Sequence, residues 1–76
     1  MPVIGQMFAF IAEDSGPTDE GIVAFTTPGG MAMPMVGADM ARVDFLRPIA
    51  REIAKKTGRK ITLVLFNNRI DLEVIA

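Results

Sequence analysis

The 76-residue chain has no cysteine, histidine, tryptophan or tyrosine. Without cysteine there can be no disulfide, no thiolate nucleophile and no zinc site of the cysteine type. Without histidine the chain lacks the commonest general base and the commonest transition-metal ligand. Ser–His–Asp and Cys–His catalysis are therefore excluded within this chain, and we expect no enzymatic activity, no metal and no cofactor.

A long apolar run is also missing. No stretch of about 20 apolar residues is present, which predicts that the chain does not span a membrane. The apolar residues 1–12 have no basic segment before them and lead directly into Glu13 and Asp14. This pattern is typical of a strand and not of a secretory signal peptide, so we expect a cytoplasmic protein.

The short length contrasts with the large apolar fraction. The chain is long enough for a single domain, 1–76, and 50% of its residues are apolar. A domain this small buries only about 60% of the surface that its unfolded chain exposes, so small domains often depend on disulfides, metals or partner chains. Because cysteine and histidine are absent, the composition favours stabilisation by a second copy, and a homodimer is the simplest form.

The net charge of −1 hides a segregation along the chain. Residues 1–41 contain five acidic residues and no Lys or Arg, whereas all eight basic residues lie within 42–69. An acidic loop and a solvated basic helix face explain this pattern most simply. Alternatively, the opposite patches meet, within one subunit or between two.

Four segments have the composition and alternation of β-strands. They are residues 6–13, 22–27, 31–36 and 60–67, of which the first and last are apolar on both faces. Pro28-Gly29-Gly30 predicts a tight turn between the second and third strands, because glycine tolerates a positive φ. Residues 14–21 form an acidic, turn-rich loop in this interpretation.

One helix is predicted over about residues 39–57. Its apolar side chains recur with the helical period, Asp39 is placed to cap the N-terminus, and Gly58 is placed to end the helix. Pro48 removes a hydrogen bond to the carbonyl of Asp44, which predicts a kink or a break near this position.

The end of the chain alternates apolar and charged residues. This alternation favours a strand over 69–76, with Asn67-Asn68 as a hairpin turn, and a short helix is the alternative. The predicted fold is a two-layer α+β domain, β-β-β-α-β(-β), with one kinked helix and a mixed sheet in which 60–67 runs parallel to 6–13. One helix covers one face of such a sheet, so the other face calls for a partner.

In this topology one end of the sheet collects polar side chains. Arginine and asparagine near a helix N-terminus can hold a carboxylate or phosphate, although an arginine beside an acid can equally form a structural salt bridge. The candidate ligand-binding residues are Arg69, Asn67, Asn68, Arg42, Glu13 and Asp14.

Three methionines alternate along residues 31–35. Their thioethers could bind Cu(I), but no other soft ligand exists in the chain, so packing or an adaptable interface is the better interpretation. The candidate interface residues are Met31, Met33, Met35, Phe8 and Phe10.

These features predict a small interaction or accessory module without catalysis of its own. Its expected partner is a second copy, or another protein. An alternative is a binding or accessory protein for a small anion, using Arg69 and the acidic loop. A third hypothesis is weak nucleic-acid binding through the helix stripe Arg47, Arg51, Lys55 and Arg59, which the isoelectric point of 5.2 and the lack of Tyr and Trp disfavour.

Overall fold

The computed structural model describes residues 3–16 and 18–75, apart from the side chains of residues 14 and 15. The described chain forms a small α+β fold with one helix and six strands in two antiparallel sheets, which confirms the predicted class. In chain order the elements are β1 (Met7–Gly16), β2 (Asp19–Ile22), β3 (Ala24–Thr26), β4 (Ala32–Pro34), β5 (Val36–Gly37), α1 (Met40–Thr57) and β6 (Ile61–Phe66).

The central strand of the larger sheet is β1. One of its edges pairs with β6, from Met7 opposite Phe66 to Ala12 opposite Ile61. Its other edge is shared, because β2 pairs with its second half and β5 with its first half. Most residues of the predicted loop 14–21 therefore lie in the two paired strands of the β1–β2 hairpin and not in a loop.

The expected mixed sheet needs correction, because every strand pair in the described chain is antiparallel. The chain rejoins β1 directly after the second hairpin, so that β5 runs opposite to β1. The crossover through α1 then brings β6 to the far edge of β1 in the direction of β5. For this reason β6 is antiparallel to β1 instead of parallel.

A three-way backbone junction joins β1 to the chain segments on either side of the β3–β4 hairpin. The amide of Phe10 donates to the carbonyl of Met35 at 3.0 Å, and the carbonyl of Phe10 accepts from the amide of Val23 at 2.9 Å. The amide of Met35 in turn donates to the carbonyl of Val23 at 2.8 Å. Beyond this junction β3 and β4 leave the sheet as a separate hairpin.

The turn between β3 and β4 has the predicted form. Gly30 has a φ of 85°, in the left-handed region that favours glycine. The amide of Thr27 donates to the carbonyl of Met31 at 2.8 Å, and this bond closes the hairpin.

The helix begins and ends where the sequence predicts. The Asp39 carboxylate accepts a hydrogen bond from the amide of Arg42 at 3.0 Å, and Gly58 ends the helix with a φ of 70°. The helix continues through Pro48 without the break considered from the sequence. Asp44 and Pro48 are exposed, so water can satisfy the carbonyl that Pro48 leaves without a helical donor.

The core lies between α1 and one face of the sheet. Five buried side chains form its centre, and the half-buried Phe25 of the β3–β4 hairpin packs against them. The five are Phe10, Met35, Val43, Leu46 and Ala50.

The chain after β6 forms no regular element. The strand predicted over 69–76, and the helical alternative, are both wrong for residues 69–75, while residue 76 lies outside the described residues. A two-residue hairpin turn at Asn67-Asn68 requires a positive φ, which only Gly30 and Gly58 adopt in the described chain.

Candidate functional site

The antiparallel direction of β6 divides the predicted ligand-binding residues between two ends of the sheet. Asn67, Asn68 and Arg69 follow β6 and lie near the start of β1. Arg42 lies at this end too, in the first turn of the helix that follows β5. Glu13 is at the opposite end, beside β2, and the side chain of Asp14 lies outside the described residues.

Arg69 makes its contacts within its own chain. Its Nε donates to Asp71 Oδ1 at 2.8 Å, and its Nη1 donates to the carbonyl oxygen of Ile4 at 3.2 Å. Both charged side chains of the ion pair are more than half exposed, so the pair stabilises the fold by less than about 1 kcal/mol. The contacts hold the segment after β6 against the segment before β1.

The contact with Ile4 preserves the alignment of the two strands. Met7 is opposite Phe66 in the last pair of the β1–β6 ladder, and the same alignment carried past the sheet brings Ile4 opposite Arg69. The segment before β1 and the segment after β6 therefore leave the sheet side by side. We call residues 3–6 and 67–75 the terminal arm.

The terminal arm is apolar and exposed. Leu72 and Val74 are each 90% exposed, which is extreme for large apolar side chains. Of the fourteen large apolar side chains that are exposed in the described chain, ten lie in the arm or in the adjoining parts of β1 and β6. These ten are Val3, Ile4, Met7, Leu63, Leu65, Phe66, Ile70, Leu72, Val74 and Ile75.

The radius of gyration agrees with a projecting arm. It is 14.0 Å, whereas a compact chain of this length has about 11 Å. A cleft of about 550 Å³ lies at the base of the arm, between Ile4 and Phe66, with Asn68 and Arg69 at its border.

The sheet has one face without a covering helix. Helix α1 packs on the face that carries Phe10, so alternation places the odd-numbered residues of β1 on the other. The ladder adds the even-numbered residues of β6 to the same side. We call this the bare face. It carries the exposed Met7, Thr62 and Phe66, the half-buried Ile11 and Val64, and the small Ala9, which is buried.

Comparison of the chain with models of known protein families, with curated proteins and with solved structures finds no match.

The candidate interface residues occupy very different positions. Met35 and Phe10 are buried in the core of this chain and leave a partner no surface to contact. Phe8 and Met33 are half-buried, and Met31 is 64% exposed next to the β3–β4 turn. Met35 differs from the other two methionines because it lies beyond β4, where its backbone is bonded to Phe10 and Val23 and its side chain enters the core.

The basic stripe of the helix borders β6. Arg47 and Arg51 line a shallow groove with Ile61 and Leu63, and Arg47 also pairs with Asp44 at 2.8 Å. In the residues that the structure describes, no helix is long and apolar enough to cross a membrane, and no group of three or more acidic side chains converges as a metal site would require.

The arm is the feature that sequence reasoning missed. Val3 and Ile4 at one end and the Ile70, Leu72 and Val74 alternation at the other are visible in the sequence. Only their proximity, which depends on the β1–β6 register, makes them a single surface.

Proposed function

We propose that this chain is a non-catalytic, self-associating module that forms a two-fold dimer through the terminal arm and the neighbouring edge of β6. The observation that carries the proposal is the concentration of ten exposed large apolar side chains at this part of the molecule. Single exposed apolar residues are ordinary, but a concentration of this size at one part of a small fold favours an interaction surface.

The exposed apolar side chains of the terminal arm would gain free energy if a partner buried them. Burying a fully exposed Val, Leu or Ile side chain contributes about 1.5–3 kcal/mol. Ile70, Leu72 and Val74 remain 71%, 90% and 90% exposed in their own chain, so most of this free energy is still to be gained. Association of two copies is a direct way to gain this free energy, because a two-fold interface buries each surface patch twice.

Two further parts of the proposal rest on the sequence. The lack of histidine and cysteine supports a role without catalysis. We also propose a cytoplasmic location, which fits a small chain without cysteine, because small secreted domains are typically rich in disulfides.

The test is the mass of the protein in solution. We expect light scattering after size exclusion to give twice the 8.2 kDa of one chain at micromolar concentration. Leu72→Asp should shift the protein to monomer without loss of helix content, because Leu72 is 90% exposed. Met31→Asp is the matched control, since Met31 is also exposed but lies at the other hairpin. A wild-type monomer, or equal dissociation by both variants, would overturn the proposal.

A further inference from the structure

We infer that residues 61–75 of two copies pair with each other as antiparallel strands about a two-fold axis at Asn68, so that each arm lies along the free edge of the other copy's β6. The inference rests on the proposed self-association and adds its mechanism. The occupant of the free edge is thus a second copy of this chain.

The edge of β6 is open and unprotected. Within the described residues β6 pairs with β1 alone, and its sequence Ile61–Phe66 contains no charge, no proline and no glycine. Natural proteins guard exposed edges with charges, prolines, bulges or short strands. A six-residue apolar edge without these devices is a template for a further strand.

The chain after β6 continues in the direction of β6 and does not fold back along the free edge of that strand. Arg69 contacts Ile4 in the alignment of the β1–β6 ladder, so the chain runs straight on past Phe66 instead of turning back. A tight two-residue turn back along β6 would require a positive φ, which neither Asn67 nor Asn68 adopts. The residues after Asn68 can therefore reach the β6 of another copy without a change in the backbone at Asn67 and Asn68.

The lengths and the alternation match. Residues 70–75 and the six residues of β6 each span about 20 Å when extended. If the chain keeps the alternation of β6, the even-numbered apolar residues Ile70, Leu72 and Val74 fall on the bare face. A two-fold axis at Asn68 places them opposite Phe66, Val64 and Thr62 of the second copy, so the bare face becomes a wider apolar surface.

The charged side chains of the arm and of the helix also favour the antiparallel pairing. The odd-numbered residues of the arm then fall on the helix side, where Glu73 lies opposite Leu63 of the second copy. Arg47 and Arg51 border Leu63 on that side, so the carboxylate meets a basic surface. A parallel pairing that aligns residues 70–75 with Ile61–Phe66 would instead bring Arg69 next to Lys60, and the two like charges disfavour it.

The symmetry supplies the decisive experiment. A residue on the two-fold axis is opposite itself, with a Cα–Cα distance of about 4.5–5.5 Å in an antiparallel pair, which is suitable for a disulfide. The chain has no native cysteine, so Asn68→Cys gives a single thiol. Phe45→Cys is the control, because Phe45 is exposed on the helix and borders a cleft formed with β3 and not with β6.

Under mild oxidation at micromolar concentration we expect Asn68→Cys to form a covalent dimer about a hundredfold faster than Phe45→Cys, since the dimer holds the two thiols at a high effective concentration. If both variants are dimeric by light scattering but cross-link at the same rate, the strand exchange is wrong and the self-association stands. If both are monomeric, the proposed function itself is wrong.

Discussion

Gly37 and Arg42 are packed so closely that a Cβ atom on Gly37 would overlap with Cγ of Arg42 and lie 2.7 Å from its Cβ. The Arg42 side chain crosses the end of β5, where its Nε donates a long, 3.5 Å hydrogen bond to the carbonyl of Val36. Its guanidinium lies 5.4 Å from the ring centroid of Phe45. This contact fixes how closely the first turn of α1 approaches the sheet.

Gly37→Ala should therefore destabilise the fold by about 1–3 kcal/mol, because relief of the clash requires movement of the helix backbone as well as of a flexible side chain. Gly5→Ala is the control, since nothing lies within 4 Å of its Cβ position. Urea unfolding at one fixed protein concentration measures both. Equal stability of the two variants would show that the helix start adjusts without cost.

Substitution by alanine should change the free energy of unfolding very differently at Met35 and at Met31. Met35 is completely buried, so Met35→Ala should cost about 2–5 kcal/mol through the lost contacts and the cavity. Met31 is 64% exposed, so Met31→Ala should change the free energy of unfolding by less than about 0.5 kcal/mol. Calorimetry or denaturant unfolding distinguishes them, and a large loss at Met31 would contradict the position assigned to the hairpin.

The helix cap can be tested with a matched pair of aspartates. Asp39→Ala removes the acceptor for the Arg42 amide and should cost about 0.5–2 kcal/mol. Asp44→Ala removes an exposed ion pair with Arg47 and should cost less than about 1 kcal/mol. Asp39→Asn should keep most of the stability, because asparagine also caps well.

A charge reversal tests the inferred placement of the arm. Glu73→Lys should weaken the dimer several-fold, on the order of fivefold, because two exposed ion pairs are lost in each dimer. Adding Arg51→Glu to this variant should restore part of the affinity, measured by sedimentation equilibrium at low salt. If Arg51→Glu instead weakens the double variant further, Glu73 does not lie beside Arg51.

Arg69 tests the anion-binding hypothesis, which stays a prediction from the sequence. Arg69→Ala should lower the free energy of unfolding by less than about 1 kcal/mol, since its ion pair is exposed. A thermal-shift screen with phosphate and small carboxylates then compares the wild type with this variant. Stabilisation by an anion that is lost in Arg69→Ala would support a ligand site at this end of the sheet.

The features that the sequence predicts correctly are local ones. Asp39 and Gly58 bound the helix because each makes its contact within a few residues. The turn before Met31 forms for the same reason, with Gly30 supplying the positive φ. These signals do not depend on the rest of the fold.

The features that it does not predict are long-range ones. The alternation of residues 60–67 indicates a strand but carries no information about its direction. That direction is set at the junction of Phe10, Val23 and Met35, where the chain rejoins β1. The antiparallel direction of β6 separates Glu13 from Arg69. It also brings the segment after β6 next to the segment before β1.

The β1–β6 ladder has a consequence for the order of folding. Its partners, from Met7 with Phe66 to Ala12 with Ile61, are about fifty or more positions apart, so closing it carries the largest loop entropy of any pairing in the sheet. The β1–β2 and β3–β4 hairpins need only short closures and can form earlier. We therefore expect β6 to dock late, which means that during synthesis the sheet stays incomplete until β6 itself has left the ribosome.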